Sequence, residues 1–157
     1  MNIFVLDTDP QKAAKYHCDK HVIKLVVEAA QMLCTAIRCY GISNDKLYKS
    51  THLKHPCTQW VIESRSNAEW LLQLSFALCT EYTLRYGKVH KTLDVLTEIA
   101  DNQLLLCISD IGMTPFAQAM PEQYKCEDPV RAYRAYYIGE KKSFAKWKNK
   151  MPDWFNI

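Results

Sequence analysis

Six polar residues, His17, His21, Lys24, Glu28, Gln31 and Thr35, follow one another at steps of four, three, four, three and four. At 3.6 residues per turn, those steps stack all six on one face of a helix. Two imidazoles, an ammonium and a carboxylate in one line can relay a proton, hold a phosphate or stabilise a cation that develops as a bond breaks. Lys24 and Glu28 are one turn apart and are expected to pair. Around the line lie Val22, Ile23, Leu25, Val26, Val27, Ala29, Ala30, Met32, Leu33, Ala36 and Ile37. A surface helix is polar over about half its circumference. This one is apolar nearly all round, so a buried central helix is expected, with its polar edge open to a cleft.

Other clusters offer further chemistry. His52 and His55, taken with His17 and His21, place four of the five histidines in two short segments, a pattern that would suit a transition metal. No glutamate stands inside the His-x3-His in the metalloprotease arrangement, so a metal-dependent hydrolase is the weaker alternative. Glu81, Tyr82, Arg85 and Tyr86 come at the end of a second helical pattern. Antiparallel packing would bring them to the start of the first. From Arg131 to Lys150 there are seven Lys/Arg and one acid, Glu140, interleaved with Tyr133, Tyr136, Tyr137, Phe144 and Trp147. Basic residues among aromatics neutralise phosphates and stack on bases, although a solvated face of an amphipathic helix has the same composition.

The elements needed to position these groups are helices. Asp9-Pro10 is a cap-and-proline start and Gly41 a natural stop, so one long helix is expected over 10–40, with a second start at Asp19 as an alternative. Asn2 to Leu6 reads as a strand or an extended run. A second long helix is expected from Pro56 to Tyr86, with Gly87 as its cap, and a shorter one over 91–100. A short helix over 116–120, opened by Thr114-Pro115, is expected, and another from Pro129 that Gly139 interrupts. No βαβ alternation and no repeat occurs. The expectation is an all-α fold, a single compact domain over 1–157 built on two long helices with shorter C-terminal helices.

Net charge is +3, the apolar fraction 48% and the charged fraction 24%, as in ordinary globular proteins. No run approaches the roughly 20 apolar residues that cross a bilayer, so no membrane partner and a cytoplasmic location are expected. Seven cysteines without CxxC spacing read as reduced thiols. There is no P-loop, GxGxxG, G-x-S-x-G or HExxH.

Phe4, Asp9, Ala13-Ala14, the run Asp19 to Lys24, Glu28-Ala29 and Gln31 recur in a familiar order with His55-Pro56, Trp60 and Cys79…Glu81…Arg85-Tyr86-Gly87. Over roughly the first 90 residues the chain resembles the pyrimidine-dimer DNA glycosylase family, and over its whole length it is similar to uncharacterised tailed-phage proteins. The resemblance implies an all-α fold holding a flipped or distorted nucleotide in a basic cleft. It implies a free N-terminal α-amine that attacks the sugar C1′ to form a Schiff base, and a glutamate that supports the cationic transition state. Such amines titrate at about 8, which leaves a neutral fraction near physiological pH. Asn at position 2 usually leaves the initiator methionine in place, so the amine falls to Met1. Glu28 matches the glutamate of the bacterial pattern, and Lys20, His21 and Lys24 match its basic cleft residues.

The candidate reacting groups are therefore Glu28, Lys24, His21 and Met1. His17, Lys20, Gln31, His55, Trp60, Glu81, Arg85, Arg131, Arg134 and Tyr137 are the candidate substrate contacts, with no metal and no cofactor. The expected partner is DNA or a nucleotide, and the expected reaction cleaves an N-glycosidic bond of a damaged or modified nucleotide. A non-catalytic nucleic-acid-binding module of the same fold is the alternative.

Overall fold

Asp9 and Asp128 each stand before a proline, and each opens a helix by accepting two backbone N–H bonds in the first turn. The computed structural model describes residues 1–156, and every regular element among them is helical. In chain order the α-helices are α1 (Pro10–Tyr16), α2 (Asp19–Cys39), α3 (Pro56–Glu63), α4 (Arg65–Tyr86), α5 (Leu93–Asp101) and α6 (Pro129–Lys141), with short 3-10 turns at Leu104–Cys107, Glu122–Tyr124 and Asp153–Phe155. The all-α expectation holds. Helix α4 packs against α1, α2 and α3, and the core lies between them. Leu33, Ile37, Leu71, Leu74 and Leu78 are each at most 1% exposed, and burying one such side chain contributes about 1.5–3 kcal/mol.

The first long helix is in fact two. His17 is extended, with φ −64° and ψ 133°, so it leaves the line that His21 begins. The break is held by tertiary bonds. Arg85 donates to the His17 carbonyl at 2.8 Å, the Cys18 N–H donates to the Tyr137 hydroxyl at 3.1 Å, and the Asp19 N–H donates to the Lys146 carbonyl at 2.8 Å. The second long helix is also divided, at Ser64, whose φ of −153° and ψ of 140° separate α3 from α4. Asp110 is the cause: it accepts from the Ser64 and Ser66 hydroxyls and from the Ser66 N–H at 2.9, 2.7 and 3.1 Å. Those bonds hold its carboxyl well below the usual carboxylate range.

Two further expectations change. Residues 114–120 are not helical, because their polar groups serve distant partners. Tyr133 donates to the Ala117 carbonyl at 2.6 Å, and Asn2 donates to the Ala119 carbonyl at 2.7 Å. Gly139 does not interrupt α6. Its missing side chain instead admits the Tyr124 ring, which a Cβ there would strike. Residues 2–6 are buried and irregular, turning at Phe4, where the Leu6 N–H donates to the Phe4 carbonyl at 2.9 Å, with no strand partner among the described residues.

Candidate active site

Glu28 is the meeting point of the chain's beginning and of α2. Its Oε2 accepts the Asn2 backbone N–H at 3.0 Å and lies 3.8 Å from the Met1 α-amine. Its Oε1 lies 3.4 Å from Lys24 Nζ, one turn earlier on the same helix. The carboxylate side chain is 12% exposed and that of Lys24 is 63% exposed, so the pair sits at an edge between core and solvent. The Met1 side chain is only 2% exposed, and its Sδ lies 3.8 Å from the Thr58 hydroxyl. That packing ties the first residue to α3.

Asn2 fixes the approach. Its Oδ1 accepts the Ile3 N–H at 2.8 Å while its amide reaches Ala119. Two residues on, Phe4 takes a left-handed φ of 55°. A bulky residue held there carries strain of order 1–3 kcal/mol. The turn sets the Phe4 ring on the His21 imidazole, with centroids 4.7 Å apart and planes 27° from parallel.

His21 is buried, and its Nδ1 is 2.7 Å from the Tyr137 hydroxyl. Burial, aided by His17, Lys141, Lys24 and Lys20, pushes its pKa down to about 3. It is therefore neutral at physiological pH, within reach of three ammonium groups. Lys20 lies over the Phe144 ring at 4.6 Å, and Lys141 over the rings of Tyr136 and Phe4 at 4.7 and 5.7 Å. Lys20, Lys24 and Lys141 thus surround His21, and Lys20 and Lys141 cover an aromatic surface beside it. Such a surface can hold phosphate by charge and a base by stacking.

His55 also belongs here. Its Nδ1 accepts the Cys57 N–H at 3.1 Å, which caps α3. Burial, the N-terminal ammonium and His52 lower its pKa, against Glu28 and the Met1 carbonyl. Gln31, half-buried one turn beyond Glu28, gives its carbonyl to the Thr35 hydroxyl at 2.7 Å.

Most of the other candidates are bound to partners within the protein. His17 is fully buried between the Ala13 and Ile3 carbonyls at 2.6 and 3.4 Å, and burial brings its pKa down to about 4. Trp60 is 3% exposed, edge-on to Trp70 and tilted against Phe116, and its indole donates to the Thr114 carbonyl. Tyr137 is wholly buried. Arg134 donates to the Leu6 carbonyl and pairs with Asp7 at 3.2 Å. Arg131 is exposed beside Cys126, Glu127 and Asp128, at the far end of α6 from Lys141.

Antiparallel packing does bring Glu81 and Arg85 to the start of α2. There they form a buried ion cluster. The Arg85 side chain, 2% exposed, reaches Glu81 at 3.0 Å and Asp19 at 3.1 Å, and it donates to the Lys15 and His17 carbonyls. A cleft of about 590 Å³ opens beside this cluster, lined by Lys15, Arg85, Asn149 and Trp154 among others. Asp19 is nine residues from Glu28, roughly 14 Å along the helix. The cleft's charges also largely satisfy one another, as in Lys150 with Asp153 at 3.1 Å. The candidate reacting groups Glu28, Lys24 and Met1 do not line it.

The four histidines of the two clusters each have a separate partner. His17 is on backbone carbonyls, His21 on Tyr137, His52 on Thr51 and His55 on α3. Among the described residues no three His, Cys, Asp or Glu side chains gather as a metal would require. All seven thiols are free. No helix among the described residues is long and apolar enough to cross a membrane.

The family of pyrimidine dimer DNA glycosylases matches residues 1–95, well over half of the 157-residue chain. The chain belongs to that family. No curated protein and no solved structure matches it. The glycosylase match covers Met1, Lys24, Glu28 and His55 and ends before Lys141. Sequence reading missed Lys141 and Asn2. Lys141 was marked only as one charge within the basic aromatic stretch, and Asn2 contributes a backbone N–H that no residue pattern reports.

Proposed function

We propose that the protein is a DNA glycosylase acting on a damaged or modified pyrimidine, with a pyrimidine dimer in duplex DNA as its first substrate class. The Met1 α-amine is the nucleophile, and Glu28 is the carboxylate beside it. The observation that carries this reading is the 3.8 Å approach of the amine to Glu28 Oε2, with Asn2 bound to the same oxygen. Family membership supplies the substrate class.

In this reading the neutral amine gives its lone pair to the sugar C1′. The N-glycosidic bond breaks, its electron pair leaves with the base, and a proton passes from the attacking nitrogen to that base. Opening of the sugar ring then sends the C1′–O4′ pair to O4′, which is protonated, and leaves a protonated imine on C1′. Glu28 lies where that positive charge develops, and electrostatic stabilisation of this kind is often the largest catalytic contribution. Hydrolysis of the imine returns the amine. Loss of a C2′ proton instead expels the 3′ phosphate and cuts the strand. Lys20, Lys24 and Lys141 carry the flanking phosphates, and Phe4, Tyr136 and Phe144 form the apolar wall.

Borohydride reduction tests the reading by converting an imine to a stable protein–DNA adduct. Duplex DNA bearing a cyclobutane pyrimidine dimer is expected to yield the adduct, and undamaged duplex is not. Absence of adduct on dimer-containing, modified and abasic duplexes alike would overturn it.

A further inference from the structure

The Tyr137 hydroxyl carries one proton and stands among three groups. It accepts the Cys18 N–H at 3.1 Å, and it lies 2.7 Å from His21 Nδ1 and 3.4 Å from Cys18 Sγ. A thiol sulfur is a weak acceptor, whereas about 2.7 Å is the usual length of a hydroxyl bond. The tyrosine proton therefore goes to Nδ1. The reverse arrangement would give the hydroxyl two incoming donors and leave its proton to sulfur. With Nδ1 accepting, the neutral ring carries its own proton on Nε2. That nitrogen has no partner among the described residues, where Asn149 Oδ1 and Trp154 Nε1 are the only buried side-chain polar atoms left unpaired. Nε2 is therefore open to solvent, while Nδ1 faces the wholly buried Tyr137.

The ring is also held in orientation. Phe4 covers one face, and Tyr137 and Phe144 stand at steep angles to it, with centroids 4.7, 5.2 and 5.6 Å away. Lys20 lies over the Phe144 ring and Lys141 over that of Phe4, so an uncharged donor stands between two ammonium groups. Phosphate oxygens go to the ammonium groups, whose charge-assisted bonds are roughly twice as strong as neutral ones. The N–H is left for a neutral acceptor, such as a carbonyl of a base. His21 and Glu28 share one face of α2, seven residues apart, which is roughly 10 Å along the axis. A pyrimidine whose sugar meets Glu28 keeps O2 beside that sugar and turns position 4 to the far side of its ring. Thymine carries an acceptor there and cytosine a donor.

We infer that His21 is a specificity residue: its Nε2–H donates to the O4 carbonyl of the thymine whose sugar lies at Glu28, and so selects thymine over cytosine. The inference rests on the glycosylase reading of the site. It gives work to a buried imidazole that the amine mechanism leaves unused.

Nitrogen-15 NMR of histidine-labelled protein reads the tautomer, with the His21 signals assigned as those absent from H21N. Nδ1 is expected to be the unprotonated nitrogen at pH 7 and Nε2 the protonated one. A protonated Nδ1 overturns the inference, whatever the protein does to DNA. Two substitutions then separate the inner bond from the outer donor. The amide oxygen of Asn stands where Nδ1 is and keeps the Tyr137 bond, whereas the amide nitrogen of Gln reaches where Nε2 is. Competition anisotropy compares duplexes bearing a cyclobutane dimer of two thymines or a freshly prepared dimer of two cytosines. Wild type is expected to favour the thymine dimer by about 5-fold, the scale of one hydrogen bond. H21N is expected to lose that ratio at near wild-type thermal stability, and H21Q to keep most of it. Equal affinity of the wild type for the two dimers, an unchanged ratio in H21N, or a loss in H21Q as large as in H21N overturns the inference. A wild type that prefers neither dimer to undamaged duplex is a different result. It removes the glycosylase reading itself and this inference with it.

Discussion

Asn2 donates its backbone N–H to Glu28 Oε2 at 3.0 Å, bridging 26 residues and setting the Met1 amine beside the same oxygen. One carboxylate therefore faces two successive nitrogens of the chain's beginning, and both are held before any DNA arrives. Preorganisation of this kind is what an amine nucleophile needs, because orientation supplies much of the rate gain of a covalent step.

Glu28→Gln separates chemistry from binding. The amide can still accept the Asn2 N–H but cannot neutralise a developing imine. Adduct formation is expected to fall by about 10²-fold or more, in line with the loss of one preorganised electrostatic partner. DNA affinity, measured by fluorescence anisotropy, is expected to stay within about 2-fold, because no phosphate contact is removed. Retained binding in the variant, with no reaction in the wild type either, is the signature of a non-catalytic module.

The cation ring is expected to set the salt dependence of binding. Lys20→Ala, Lys24→Ala and Lys141→Ala should each reduce the slope of log affinity against log salt by about 0.9, the value for one phosphate contact on duplex DNA. Arg131→Ala should leave the slope unchanged, since Arg131 lies at the opposite end of α6. Titrations at several salt concentrations decide this directly.

Arg85 is expected to be a stability residue. Arg85→Ala would leave Glu81, 8% exposed, as an uncompensated buried carboxylate, a change that typically costs about 3–5 kcal/mol. Arg85→Lys should recover little, because a single ammonium cannot make the separate bonds to Glu81, Asp19, Lys15 and His17. Denaturant unfolding of the three proteins measures the difference.

Stability should also fall as the solution is acidified from pH 6.5. His17 and His21 have folded pKa values of about 4 and about 3 against 6.5 when unfolded. Between those limits the unfolded chain takes up protons that the folded protein refuses. The contribution is fully present above pH 6.5 and is lost as pH falls toward 4 and then 3. Each proton adds a slope of about 1.4 kcal/mol per pH unit. Urea unfolding at pH 7 and pH 5 should show the loss, and His21→Gln should make it shallower.

The fold class was legible because apolar periodicity, aspartate–proline starts and the glycine stops at Gly41 and Gly87 are local signals. The breaks at Cys18 and Ser64 were less so. Each is stabilised by a partner far along the chain, Arg85 and Tyr137 in one case and Asp110 in the other. For the same reason 116–120 read as a helix, although Tyr133 and Asn2 take its backbone groups. In the candidate site, Lys24 and Glu28 were visible from their one-turn spacing. Residue type alone could not separate the exposed Lys20 from the buried Arg85 or Tyr137, since charge and aromaticity do not encode depth. The Asn2 bond to Glu28 was invisible because it belongs to the backbone.

The central claim is that the Met1 α-amine attacks the sugar. The most direct measurement is peptide mapping, by mass spectrometry, of the borohydride-trapped adduct on dimer-containing DNA. The account predicts the added deoxyribose fragment on the peptide that begins with Met1, attached to its α-nitrogen. A fragment attached to Lys20, Lys24 or Lys141, with the Met1 amine unmodified, would contradict it.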